Sequence, residues 1–259
     1  MLYGRAMRNP RSILITGASS GLGAALALIY AATGTRLVLC GRDPVRLAAI
    51  ATACRDSGAA VEEAVFDVTD AEATRIAVEA ADDLGPLDLV IANAGISGGT
   101  AGGGETREQM RAILAVNLDG VVNTAHPAAA RMESRGRGQI ALMSSLAGFR
   151  GLPGAPAYST SKVAVRAWGD AMRGRLAPRG VTVSIVCPGF VRTPLTDANR
   201  FAMPFLMEPE PAARIIRDGL ARGRTLIGFP WQTYLAIRLI AALPPFLADP
   251  LLGRMPEKG

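Results

Sequence analysis

The chain has 259 residues, of which 49% are apolar and 19% charged, so it can bury a large core, and its composition argues against disorder. Its net charge of +6 comes from 28 Lys and Arg against 22 Asp and Glu, spread without a dense basic run, which argues against a nucleic-acid face. Three cysteines without a CxxC pair, and one histidine, argue against a metal site, a disulfide framework and a histidine-based triad. The histidine, His126, is read as a helix residue before Pro127.

Short apolar runs alternate with helical patterns along the chain. The runs predict strands over 12–16, 35–41, 61–66, 87–92, 139–144, 181–187 and 226–229. Helices are expected from Leu22 to near Gly34, and over 43–57, 70–84, 106–134, 155–177 and 211–222. This order predicts an α/β fold, a Rossmann-type doubly wound parallel sheet of about seven strands with helices on both faces. No linker divides the chain, so 1–259 is expected to be one domain with a flexible start over 1–11.

The sequence shows no secretory signal and no apolar run of 18 residues. The cysteine usage suits a reducing compartment. A cytoplasmic protein is therefore expected.

A glycine-rich turn joins the first strand to the first helix. It contains Gly17, Ser19, Ser20, Gly21, Leu22 and Gly23. Free N–H groups and the positive dipole end of a helix bind phosphate, and glycine lets the backbone come close to it. The turn alone could be a plain loop between strand and helix, but its flanking elements favour a dinucleotide site.

Tyr158 and Lys162 stand one helical turn apart, on one face of a predicted helix. A free tyrosine has a pKa of about 10, and a neighbouring ammonium favours the phenolate and lowers that value. The pair is suited to moving a proton at a carbonyl oxygen.

Six motifs in this order resemble the classical short-chain dehydrogenase/reductase family. They are the glycine turn, Asn93-Ala94-Gly95, Asn117, Ser144-Ser145, Tyr158 with Lys162, and the segment from Pro188 to Thr193. The resemblance covers almost the whole chain and is weakest after Phe229.

The resemblance implies a role for each residue of the reaction site. Ser145 would hold the substrate oxygen, Tyr158 would transfer the proton, and Lys162 would also reach the cofactor ribose. Asn117 would hold a water that links Lys162 to solvent. Ser144 points the other way if the strand continues, so Ser145 is chosen.

The cofactor is expected to be NADP(H) rather than NAD(H). Gly41 stands where NAD-preferring members carry aspartate, and Arg42 occupies a basic position that can pair with a 2′-phosphate. Ser20 replaces the second basic marker, and Arg42 could still be an ordinary exposed arginine. The resemblance places the other cofactor contacts at Asp67 and Val68 (adenine), Asn93, Ala94, Gly95, Pro188, Gly189, and Val191 and Thr193 (nicotinamide carboxamide). Asp67 could instead be a turn or helix cap.

The substrate pocket is expected to be lined by 96–98, 146–153 and the apolar loop 194–207, which includes Phe201, Met203, Phe205 and Met207. That loop could fold over an apolar substrate or cover the core. The apolar tail 229–259, with Trp231 and Tyr234, could touch a membrane surface, form a subunit interface or pack on the domain; the last two are favoured together. The resemblance implies a homodimer or homotetramer.

These features predict an NADP(H)-dependent oxidoreductase that interconverts a ketone or aldehyde and an alcohol, with an apolar small-molecule substrate. The alternative is a regulatory protein of the same fold that binds the dinucleotide with little turnover. An epimerase or dehydratase of the longer related type is disfavoured by the glycine spacing and the short chain.

Overall fold

The computed structural model describes residues 7–98, 104–197, 199 and 202–253. Its strands are β1 (Ser12–Thr16), β2 (Arg36–Gly41), β3 (Ala60–Val65), β4 (Leu89–Ala92), β5 (Gly138–Met143), β6 (Val181–Pro188) and β7 (Leu226–Phe229). Its helices are α1 (Gly21–Tyr30), α2 (Pro44–Asp56), α3 (Ala71–Leu84), α4 (Arg107–Leu114), α5 (Gly120–Ser134), α6 (Pro156–Leu176), α7 (Pro194–Asp197), α8 (Pro209–Ala221), α9 (Trp231–Ala242) and α10 (Pro245–Leu252).

The strands form one parallel sheet in the order β3-β2-β1-β4-β5-β6-β7. Ile13 of β1 pairs with Leu37 on one side and with Leu89 on the other, so the strand order reverses at β1. In this architecture, ligands bind in the crevice beyond the carboxyl ends of the strands at the reversal. The predicted seven-stranded, doubly wound fold is confirmed.

Alternate residues of the central strands pack into two cores. Ile13 and Ile15 of β1 lie in the core under α1, α2 and α8, whereas Leu14 lies in the core under α3, α5 and α6. The sequence predicts that helices cover both faces of every strand, but the edge strand β3 is an exception. It is largely exposed, and its Glu62 forms an ion pair with Arg36, because this strand lies at the rim of both helix layers.

Several helix boundaries follow the expected capping chemistry. The Asp43 carboxylate accepts a hydrogen bond from the Arg46 backbone N–H at 3.0 Å and caps α2, and Asp70 caps α3 in the same way. Gly58, with φ +90°, follows the end of α2, where a left-handed residue is needed.

The long helix predicted over 106–134 is interrupted. A π-helical turn, Ala115–Asp119, separates α4 from α5 and contains Asn117. Neither glycine nor proline lies within the turn itself, and Gly120, which follows it, begins α5. Such turns are frequent at functional sites because they widen the backbone spiral locally.

The predicted apolar loop 194–207 and the predicted apolar tail 229–259 both contain helices in the structure. The loop begins with α7, and at its end Val191 bridges to Met207, which packs on the core. Ala198, Arg200 and Phe201 of the loop lie outside the described residues, as do 1–6 and 254–259. The tail forms α9 and α10, and no described helix is long and apolar enough to cross a membrane.

Cys40, Cys187 and His126 lie in the kinds of element that the sequence suggested. All three cysteines are free and buried, with Cys40 in β2 and Cys187 in β6. His126 is exposed on α5, directly before Pro127. Among the described residues, no group of His, Cys, Asp and Glu side chains could hold a metal ion.

Candidate active site

A cavity of about 740 Å³ opens at the carboxyl edge of the sheet. All of the expected site residues line it except Asn117. The lining includes Gly17, Ser19, Ser20, Gly21, Leu22, Gly23, Arg42, Asp67, Val68, Asn93, Ala94, Gly95, Ser145, Tyr158, Lys162, Pro188, Gly189, Val191 and Thr193. The fold thus brings residues from distant parts of the chain to one cleft.

The glycine turn needs its glycines for close backbone approach. Gly17 and Gly21 have φ +67° and +54°, and a Cβ on Gly23 would collide with the carbonyl oxygen of Gly17. Ser20 caps α1 without a side-chain hydrogen bond, and the first turn of α1 has no acidic residue. The helix therefore offers free N–H groups and an uncompensated positive dipole end, which fit a pyrophosphate.

Thr16 and Asn93 lock this turn to the end of β4. The Thr16 hydroxyl accepts hydrogen bonds from the backbone N–H of Asn93 at 3.1 Å and of Ala94 at 3.3 Å. The Asn93 amide in turn donates to the carbonyl oxygens of Thr16 at 3.0 Å and Gly17 at 3.3 Å. The side chain of Asn93 thus fixes the shape of the turn.

The two residues expected at the adenosine end contact each other. Arg42 Nη1 lies 3.2 Å from Asp67 Oδ2, and both side chains are partly exposed. The other oxygen of Asp67 accepts bonds from the backbone and hydroxyl of Thr69. Burial opposes ionisation of Asp67, but the bonds from Thr69 and Arg42 outweigh it and lower its pKa.

Arg46 is a cavity residue that the sequence reasoning missed. It lies in the first turn of α2 and pairs with Asp43, the residue that caps this helix, at 2.6 Å. Its position in the first turn of the helix that follows Arg42 was the available signal.

The two serines that follow β5 both line the cavity, but their hydroxyls have different partners. Ser144 Oγ donates to the Lys162 carbonyl oxygen at 2.8 Å and so supports α6. Ser145 Oγ accepts from the Ala147 backbone N–H at 3.2 Å and donates to the Pro188 carbonyl oxygen at 3.4 Å. Ser145 also contacts the phenol of Tyr158.

Tyr158 and Lys162 lie on one face of α6. The ammonium of Lys162 is 5.5 Å from the centre of the Tyr158 ring and donates to the Met143 carbonyl oxygen at 2.9 Å. Burial raises the pKa of Tyr158, although its contact with Ser145 lowers it, and burial lowers the pKa of Lys162 to about 8. The lowered tyrosine pKa expected from the sequence is therefore wrong for this structure, because the loss of solvation dominates.

Glu105 is a second residue that the sequence reasoning missed. Its Oε2 accepts the backbone N–H of Ala157 at 2.7 Å, at the start of α6 and next to Tyr158. The residue that precedes α6, Ala155, has no side-chain oxygen that could cap the helix. No local pattern links Glu105 to a helix some fifty positions away in sequence, so only the tertiary structure shows this contact.

Asn117 lies behind the cavity wall. Its Oδ1 accepts from the Ile96 backbone N–H at 2.8 Å, and its Nδ2 donates to the Ile96 carbonyl oxygen at 2.9 Å and to Ser161 Oγ at 3.2 Å. The π turn thereby holds the loop after β4 against α6. The water bridge to Lys162 stays a prediction.

The remaining half of the cavity has mostly apolar walls. The expected segments contribute Ile96, Leu146, Leu152, Pro153, Leu195 and Pro204. Phe205, expected in the pocket, is instead 54% exposed, and the half-buried Met207 packs against the core. Helix α9 also forms part of the cavity wall, which was not expected from the sequence; its lining residues are Thr233, Ala236, Ile237 and Ile240. Apart from Lys162, the charged lining residues lie at the Arg42 end.

Comparison with known proteins agrees with this geometry. Residues 11–203 match the model of the short chain dehydrogenase family. An uncharacterized oxidoreductase of Myxococcus xanthus is 41% identical over 246 residues, which cover 95% of this chain and 97% of that protein.

The solved structures similar to this chain include complexes with NADPH and with NAD. A short-chain dehydrogenase from Sphingobium yanoikuyae in complex with NADPH has a TM-score of 0.78 and 30% identity, over 95% of this chain and 97% of its own. A short-chain dehydrogenase/reductase from Burkholderia phymatum in complex with NAD has a TM-score of 0.81 and 25% identity, over 97% of this chain and 98% of its own. The chain belongs to the short-chain dehydrogenase family of oxidoreductases, which act on CH–OH and carbonyl groups with a nicotinamide dinucleotide.

Proposed function

We propose that this protein is an NADP(H)-dependent oxidoreductase that interconverts an apolar ketone or aldehyde and the corresponding alcohol. One observation carries the proposal: Ser145, Tyr158 and Lys162 share a cavity with a phosphate-binding turn, and its remaining walls are mostly apolar. A homodimer or homotetramer and a cytoplasmic location remain predictions.

The residues of the cavity suit each part of the dinucleotide. The backbone of the glycine turn would hold the pyrophosphate, Arg42 the 2′-phosphate, and Asp67 with Val68 the adenine. Val191 and Thr193 would hold the carboxamide. Arg42 would leave its partner Asp67 and bind the phosphate instead. The planar guanidinium of arginine can donate two parallel hydrogen bonds to a phosphate. When bound, the nicotinamide supplies or accepts the hydride at the substrate carbon.

The protein's own part is to hold the substrate oxygen and move its proton. In the reductive direction, Tyr158 would give its phenolic proton to that oxygen while the Ser145 hydroxyl stabilises the developing charge. The ammonium of Lys162 would then stabilise the phenolate. Burial raises the pKa of Tyr158, so the phenol holds its proton at neutral pH and can act as the donor in the reductive direction.

A fluorescence titration of the purified protein with NADPH and with NADH tests the cofactor assignment. We expect tighter binding of NADPH. We further expect Arg42→Ala to weaken the binding of NADPH about tenfold or more and to change the affinity for NADH less than about twofold. A hydrogen bond to a charged group contributes about 1.5–3 kcal/mol, and only NADPH has the 2′-phosphate.

Arg75→Ala is the matched control, because Arg75 is also a partly exposed, paired arginine but lies on α3 and outside the cavity lining. It should leave both affinities unchanged. Equal losses of NADPH and NADH in Arg42→Ala would remove the 2′-phosphate role, and binding of neither cofactor by the wild type would refute the dinucleotide site.

A further inference from the structure

Helix α9 is apolar on two opposite sides. Its inner side, with Ala236, Ile237 and Ile240, lines the cavity. None of its residues is fully buried. One face of the helix is thus a wall of the candidate active site, and the other face is not buried by any of the described residues.

The outer side of α9 forms an exposed stripe. Trp231, Leu235 and Leu239 follow each other at intervals of four residues and are 68%, 51% and 62% exposed. Phe246, Leu247 and Leu251 of α10 are also exposed and extend the apolar surface. We call these six residues the outer apolar face. An apolar surface of this kind on a protein marks a contact with another molecule or a membrane.

The charge around the outer apolar face is positive. Arg238, the only charged residue of α9, is exposed beside the stripe and bonds the Tyr234 hydroxyl at 3.0 Å. The one acidic residue of α10, Asp249, lies 3.5 Å from Arg150. Arg166 and Arg238 both lie over the ring of Phe149, which packs on α9, so three arginines and one aspartate are described around this helix.

We propose that the outer apolar face docks on an anionic lipid surface. An interfacial helix buries an apolar stripe in the headgroup region, tryptophan suits that boundary, and basic residues nearby are attracted to anionic lipids. A second copy of this chain would place the same positive charges against each other, which disfavours self-association through this face. Docking would bring the α9 wall of the cavity next to the lipid, where apolar molecules are concentrated.

The anchoring of α9 to the domain fits this role. Tyr234 packs edge-on against Phe149, with ring centres 5.6 Å apart, and Arg150 donates to the Leu243 carbonyl oxygen at 3.0 Å between α9 and α10. These contacts lie apart from the stripe. Substitutions in the stripe should therefore leave α9 in place.

Vesicle co-sedimentation of the full-length protein tests the proposal. The vesicles are phosphatidylcholine alone, or phosphatidylcholine mixed with phosphatidylglycerol. The test variant is Leu235→Gln with Leu239→Gln. The matched control is Ile76→Gln with Leu84→Gln, two exposed apolar residues of α3 that are 53% and 74% exposed.

We expect the wild type and the control to bind the anionic vesicles, more weakly at high salt, and the test variant to lose at least about tenfold in partitioning. Unchanged NADPH affinity in all three would show that the variants are folded, and binding does not depend on turnover. No binding by the wild type, equal binding to both kinds of vesicle, or equal binding by the test variant would overturn the proposal. A wild-type dimer in light scattering that the test variant dissociates would also overturn it, by assigning the face to a second copy.

Discussion

The reactive phenol and ammonium are both shaped by burial. Tyr158 and Lys162 stand on one face of α6, yet the lysine bonds the Met143 carbonyl oxygen and lies 5.5 Å from the tyrosine ring centre. Desolvation disfavours the charged form of each group, so the tyrosine pKa rises and the lysine pKa falls to about 8. At neutral pH, the site therefore holds a neutral acid beside a cation.

The lysine pKa predicts a pH dependence of carbonyl reduction. Its value in the folded protein is about 8, below the usual 10.5, so the ammonium is present below pH 8 and is lost as the pH rises through that value. The cation stabilises the phenolate left after proton transfer, so kcat for reduction should fall above about pH 8. A pH profile of kcat at saturating NADPH and substrate measures this.

Lys162→Met provides the comparison for that profile. It should lower kcat at pH 7 by about a hundredfold or more and remove the inflection near pH 8. An inflection that persists unchanged in this variant would show that another group causes it.

The roles of single residues were only partly readable from the sequence. The choice of Ser145 over Ser144 rested on strand alternation; in the structure both serines line the cavity, and their hydroxyls bond different partners. The contact between Arg42 and Asp67 was not anticipated, because it joins the ends of two neighbouring strands. The contact of Glu105 with the Ala157 backbone at the start of α6 was missed because it joins residues that are far apart in sequence.

At the scale of elements, the glycine turn is the part most sensitive to added volume. A Cβ on Gly23 would collide with the Gly17 carbonyl oxygen and lie 2.6 Å from Asn93 Nδ2, in a turn already fixed by hydrogen bonds. Gly23→Ala should therefore lower the free energy of unfolding by about 1–3 kcal/mol. Urea denaturation followed by circular dichroism measures this change.

Gly174→Ala is the matched control for that substitution. Gly174 lies exposed within α6, and a Cβ there would meet nothing within 4 Å. Alanine is the better helix former, so this variant should be more stable by up to about 1 kcal/mol. If Gly23→Ala were as stable as the wild type, the close packing of the turn would be refuted.

Elements with strong local patterns were predicted well, and elements shaped by distant contacts were not. The strands were readable because a buried parallel strand needs a continuous apolar run. The π turn around Asn117 has no local signal, since its hydrogen bonds go to Ile96 and Ser161 on other elements. The α9 wall was missed because an apolar tail does not reveal which side packs on the domain.

At the scale of the whole molecule, the cavity depends on the reversal of strand order. The crossover from β3 to β4 places the glycine turn after β1 beside the loop after β4, and Asn93, the first residue of that loop, bonds the carbonyl oxygens of Thr16 and Gly17. The second half of the sheet then places Ser145 after β5 and the Pro188 segment after β6 on the same edge. Helix α9 closes the apolar end, so the cleft requires contributions from almost the full length of the chain.

The most direct test of the proposed activity is turnover by Tyr158→Phe. NADPH oxidation is followed with a panel of apolar ketones, for the wild type, for Tyr158→Phe, and for Tyr234→Phe as a control that removes a phenol outside the cavity lining. The wild type and the control should reduce at least one ketone. Tyr158→Phe should lose at least about a hundredfold in kcat, with NADPH affinity within about twofold of the wild type. Turnover retained in Tyr158→Phe, or lost together with NADPH binding, would contradict the role of Tyr158 as the proton donor.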